Sequence, residues 1–165
     1  MTTAVLLPPP GTEPHDDPLA STDLARISFR QPISTSGFID AAWWPRSLDL
    51  TTELPPLLDV LWTAAREITR ITYNIAAWAP APRRMVIEGR TVRLGGFTTS
   101  DPQTVRLSDA WGAERIDILV IAPTTDPAMA QRALLLASEA DSPYRAAEIL
   151  TRAGIPTQTS PSRQA

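Results

Sequence analysis

The chain has 165 residues, 43% hydrophobic and 20% charged, with a net charge of −3, enough for one domain with a real core and too acidic for a general nucleic-acid binder. It has no cysteine and no lysine, so all fifteen basic residues are arginine; that excludes disulfides, thiolate metal sites, cysteine nucleophiles, Schiff-base lysines and a phosphate-loop lysine. No run approaches the roughly 18 apolar residues of a membrane span, and residues 1–10 lack the basic start of a signal peptide, so a cytoplasmic protein without membrane association is expected.

Residues 1–22 carry Glu13, Asp16 and Asp17, a proline cluster and no arginine. They read as a disordered, acidic, proline-rich tail. The only histidine, His15, falls there, where it is expected to be solvated. A single domain is expected over 23–154. Its first strand, 24–31, sets Ile27 and Phe29 against Arg26, Ser28 and Arg30. The run Gly37 to Leu50, with Trp43 and Trp44 side by side, has no periodicity and reads as a loop. Leu54, Leu58, Leu61, Trp62 and Ala65 then recur at helical spacing over 52–67, with Pro55 and Pro56 suited to a first turn.

A strand at 68–75 puts Ile71, Tyr73 and Ile75 on one face. After a second loop at Trp78 to Pro82, a hairpin is expected around Gly89. Gly95 and Gly96 should weaken or bulge its second strand. Val105 and Leu107 mark another strand, Trp111-Gly112 a turn, and residues 116–121 a nearly all-apolar central strand. Asp126-Pro127 and Ser142-Pro143 can each open a helix, and Gly154 can stop the second. Residues 155–165 read as a second disordered tail. Strands joined by short turns imply an α+β fold. The expectation is a mostly antiparallel sheet of about six strands packed on one amphipathic helix, with two helices at the C-terminus.

At Ala42-Trp43-Trp44-Pro45-Arg46-Ser47, and again at Asp49-Leu50 and Glu53-Leu54-Pro55, the chain resembles an actinobacterial domain family of unknown function with the signature A-W-W-P-R-S-x-D-L. Asn74 to Trp78 and Gly95-Gly96-Phe97 match two later pieces. The resemblance covers about residues 24–140. It implies a bacterial, cytosolic protein and supplies no reaction or catalytic residue.

Three constellations are candidates for a site. Trp43, Trp44 and Trp78 lie in proline-stiffened segments followed by Arg46, or by Arg83 and Arg84. If these loops meet, they could form an aromatic slot rimmed by guanidinium, suited to a planar or anionic ligand. The competing reading is that the rings cap a core. Neighbouring side chains of an extended segment point to opposite sides, so one ring of Trp43 and Trp44 is expected to be buried and the other partly exposed.

The second constellation is the sheet's polar face: Arg26, Arg30, Arg70, Arg93 and Arg106. It suits phosphate, an acidic partner or the chain's own tail, or it is an ordinary wet face. Residues 24–120 hold eleven arginines and ten acids, which weakens the nucleic-acid reading. The third is the carboxylate set Asp40, Asp49, Glu53, Asp101, Asp109, Glu114 and Asp117. Asp117 interrupts the most apolar strand, so an arginine or backbone partner is expected. The body has no histidine and no G-x-S-x-G, and no D-x-D spacing suggests a metal. The sequence therefore points first to a non-catalytic protein-interaction or regulatory module, with a protein partner or self-association. A small-ligand binder using the Trp/Arg slot comes second and a carboxylate-based enzyme third. No cofactor or metal is expected.

Overall fold

A computed structural model describes residues 26–30, 39–139 and 144–157. Seven strands form one sheet: β1 (Ile27–Phe29), β2 (Ala41–Trp43), β3 (Arg70–Asn74), β4 (Arg84–Ile87), β5 (Arg90–Phe97), β6 (Thr104–Ser108) and β7 (Arg115–Val120). Their spatial order is β1-β2-β7-β6-β3-β5-β4. Three helices accompany them: α1 (Leu50–Thr63), α2 (Pro127–Ser138) and α3 (Ala146–Ala153).

The α+β class stands, but the sheet is mixed rather than mostly antiparallel, and it has seven strands. β2–β7 and β3–β5 are parallel pairs. Two segments account for the difference. The Trp-Trp run is not all loop: Ala41 to Trp43 forms β2, which shows no alternation because both its faces are covered. Residues 75–83 then carry the chain past one strand position. β4 forms the edge, and β5 returns between β4 and β3.

Helix α1 lies on one face of the sheet. Leu50, Leu54, Leu57, Leu58 and Leu61 pack there with Trp43, Ile71, Val92, Leu107, Ile116 and Ile118. The helix begins at Leu50, so Pro55 and Pro56 fall beyond its first turn. Each internal proline costs about 3 kcal/mol. Five buried leucines at about 1.5–3 kcal/mol each outweigh that. Asp49 caps the helix, accepting from the Thr51 N–H at 3.0 Å and its hydroxyl at 2.6 Å. That hydroxyl holds the Asp49 carboxyl below the usual range.

The other face is covered only in part. Helices α2 and α3 pack Ala130, Ala133, Leu134, Ile149 and Leu150 against Ala42, Trp44, Leu119 and Ile121, and α2 lies over β1 and β2. As expected, Asp126 caps α2 with Pro127 following, and Gly154 ends α3 at φ 83°. The N-cap of α3 is Arg145; the expected cap Ser142 and Pro143 lie outside the described residues, as do residues 1–22 and 158–165. Ile155, assigned to the C-terminal tail from sequence, is buried in this second core.

The hairpin turns through Glu88 and Gly89, both at positive φ, the conformation that two-residue hairpins favour. Gly95 and Gly96 do not interrupt β5, which stays paired with β3 through both. Their role is clearance: a Cβ on Gly96 would sit 3.1 Å from the Tyr73 ring, and one on Gly95 3.1 Å from the Phe97 ring.

Candidate functional site

The two Trp segments do meet, tied by the Ala79 N–H donating to the Leu48 carbonyl at 2.9 Å. They do not leave a slot between the rings. Trp43 and Trp78 stack with centroids 5.5 Å apart and planes 21° apart, which leaves no room for a third ring. Trp44 points the other way, into the α2–α3 core, and its indole N–H donates to the Ala122 carbonyl at 3.2 Å. Trp43 is 1% exposed and Trp44 8%. The expected split into one buried and one exposed ring therefore fails. The pleat does send the rings to opposite sides, but helices wait on both.

The loop after β2 is held by Glu53, a buried acid of α1. Its carboxylate accepts from the Arg46 N–H at 3.1 Å and the Ser47 hydroxyl at 2.9 Å. The W-W-P-R-S and E-L-P pieces of this chain are thus two sides of one structural clasp. Arg26 closes the other side. Its guanidinium lies 3.5 Å from the centre of the Trp44 ring and donates to the Trp44 and Pro45 carbonyls. Burial, and then the charge of Arg46, lower its pKa.

The arginines expected on one polar face divide three ways. Arg26 sits on Trp44, and Arg30 is buried beside Asp40. Arg70, Arg93 and Arg106 stay on the part of the sheet that α2 and α3 leave open, and Arg84 and Arg115 join them. Arg83 just precedes edge strand β4 and Arg84 begins it, both exposed and neither in ring contact with a tryptophan among the described residues, and Arg46 is exposed on its loop.

Register sorts this face into two rows. In one, Arg106 lies opposite Asp117, and both Arg106 and Arg115 pair with that carboxylate at 2.8 and 2.9 Å. Asp117 thus has the arginine partners its position called for. Asp40 lies one strand further along. It accepts from the Asp117 N–H at 2.9 Å, while its buried Oδ1 has no hydrogen-bond partner among the described residues. Burial pushes its pKa up.

The second row is Arg70 on β3, Arg93 on β5 and Arg84 on β4, each directly opposite the next. All three are exposed, and none makes an ion pair among the described residues. Phe97, 53% exposed, shares their face, its ring against Gly95, and Val86, 72% exposed, lies beside Arg84 on the edge strand. Phe97 was missed from sequence, although its spacing from Arg93 along one strand placed it on that face.

Of the other carboxylates, Glu114 pairs with Arg66 at 2.6 Å and Asp101 accepts from the Gln103 N–H. No group of acids or histidine that could hold a metal occurs among the described residues, and no helix there is long and apolar enough to cross a membrane. These features define a mixed-sheet α+β domain with one helix layer complete and the opposite layer covering half the sheet. Residues 26–137 match the family described as a family of unknown function, DUF5994, and the chain belongs to that family. No curated protein and no solved structure matches it.

Proposed function

We propose that the domain is a non-catalytic protein-interaction module whose open half-sheet holds an acidic, extended segment of a partner protein. The observation that carries this reading is the row Arg70, Arg93, Arg84, in register on three adjacent strands with no acid paired to it among the described residues. Like charges placed directly opposite destabilise a sheet. Exposed and screened by salt, each such pair costs roughly 0.2 kcal/mol. An acidic segment laid across the row removes that repulsion and gains three charge-assisted contacts within about 10 Å, two strand spacings.

Phe97 and Val86 add apolar anchors. Aromatic rings among arginines are the composition that dominates protein interfaces. A nucleic acid fits less well, because a narrow patch on an acidic chain offers little counterion release. A cytoplasmic, high-GC bacterial setting goes with this reading, since GC-rich coding favours arginine over lysine. The expected test result is salt-sensitive binding of a fluorescein-labelled Glu/Ser peptide, measured by anisotropy and weakened about tenfold or more by Arg93→Ser. Absence of binding, indifference to Arg93→Ser, or tighter binding of a single-stranded oligonucleotide would overturn the proposal.

A further inference from the structure

A cleft of about 500 Å³ opens beyond the end of β3 that lies away from Arg70. It lies where β2, β3 and β7, which run in the same direction, reach their carboxyl ends. Diverging loops at such ends are where open sheets collect ligands. Leu48 follows β2, Ala76 and Trp78 follow β3, and Ala122 and Thr124 follow β7; Gln103, before β6, and Ile155, after α3, also line it.

The walls are held from behind. Trp78 cannot fall into the cleft, because it is stacked on Trp43. The buried Asn74 side chain donates to the Ser100 carbonyl at 2.6 Å and accepts from the Ala76 N–H at 2.8 Å. The Trp44 indole holds the Ala122 carbonyl, and the Leu48 carbonyl accepts from Ala79. A cavity of this size with walls set before any ligand arrives is what small-molecule sites generally are.

The lining also states a chemistry. Among the described residues it contains no Asp, Glu, Arg or His, so an ionised ligand would lose its hydration without meeting a counter-charge from them. The Ser47 hydroxyl is already committed to Glu53. The Gln103 amide and the Thr124 hydroxyl make no side-chain hydrogen bond among the described residues, and can serve a ligand. We infer that this cleft binds a neutral, largely apolar ring compound carrying one hydrogen-bonding edge. The inference is independent of the acidic partner proposed for the open sheet face.

Two probes of equal ring size separate the chemistries: indole, which is neutral, and indole-3-acetate, which is anionic. Each is titrated into the ¹⁵N-labelled full chain while amide shifts are followed. The expected result is saturable indole binding with a Kd below about 1 mM, shifts centred on Leu48, Ala76, Gln103 and Thr124, and about tenfold or more weaker binding of the acetate. Ala122→Leu, at an exposed loop position, should retain the melting temperature and lose the indole shifts. Ala76→Leu, also exposed, blocks the same volume from another loop should the first variant disturb folding. Lack of saturation, shifts centred outside the cleft, binding that survives both variants, or a preference for the anion overturns the inference.

Discussion

The half of the sheet made of β1, β2 and β7 differs from the half made of β6, β3, β5 and β4 in what covers its second face. In the first half, helices lie on both sides, and β2 and the end of β7 read as continuous apolar runs: Ala41-Ala42-Trp43-Trp44 and Ile118-Leu119-Val120-Ile121. In the second, only α1 covers one side, and the strands alternate, as in Arg70-Ile71-Thr72-Tyr73 and Thr91-Val92-Arg93-Leu94. The α1 core runs under both halves, and the α2–α3 core is confined to the first. The open half retains charges that stability alone does not call for, and that is why it, rather than the tryptophans, is the candidate interaction surface.

The largest test of this contrast is truncation of the paired tryptophans. Trp43→Ala and Trp44→Ala should each cost about 3–5 kcal/mol in urea unfolding, because each ring fills a different core. A cost below about 1 kcal/mol for Trp44→Ala would mean that α2 and α3 do not seat on the sheet as described. Next comes the clasp. Glu53→Ala leaves the Arg46 N–H and Ser47 hydroxyl without their acceptor and should cost about 1–3 kcal/mol. Hydrogen exchange at Arg46 should quicken with it; unchanged exchange there would show that the loop is held by something else.

Asp40 adds a pH dependence. Burial raises its folded-state pKa, so its contribution to stability is complete below the ordinary carboxylate pKa and is lost as pH rises through the raised value. Asp40→Asn still offers an oxygen to the Asp117 N–H and carries no charge. The variant should therefore unfold at higher urea than the parent at neutral pH, with the gap closing below about pH 4. Parallel pH curves for the two proteins would contradict the assignment. The smallest effect belongs to the open face: Arg93→Ser should change stability by no more than about 0.5 kcal/mol. Any gain from relieved repulsion should vanish in high salt. A substantial loss would show that Arg93 serves the fold rather than a partner.

What the sequence disclosed follows from period. β3, β5 and β6 alternate and were legible. So were α2, with its Asp126-Pro127 start, and the stop at Gly154. β2 was not, because its three residues, buried on both faces, show neither a period nor the long apolar run that marked β7. The parallel β3–β5 pairing escaped for a different reason. Local pattern marks strands but not their order, and consecutive strands need not be neighbours. The Trp slot was misjudged because stacking between Trp43 and Trp78 depends on where two distant loops land. The arginine row needed the same information: Arg70, Arg84 and Arg93 become neighbours only once β5 is placed between β3 and β4.

If the arginine row is the docking surface, binding falls on the open half and leaves the covered half untouched. Mapping amide shifts of the ¹⁵N-labelled chain on addition of the Glu/Ser peptide tests this directly. The predicted footprint is confined to β3, β5 and β4, centred on Arg70, Arg84, Arg93 and Phe97. A footprint on α2 and α3, or no shift at saturating peptide, would contradict it.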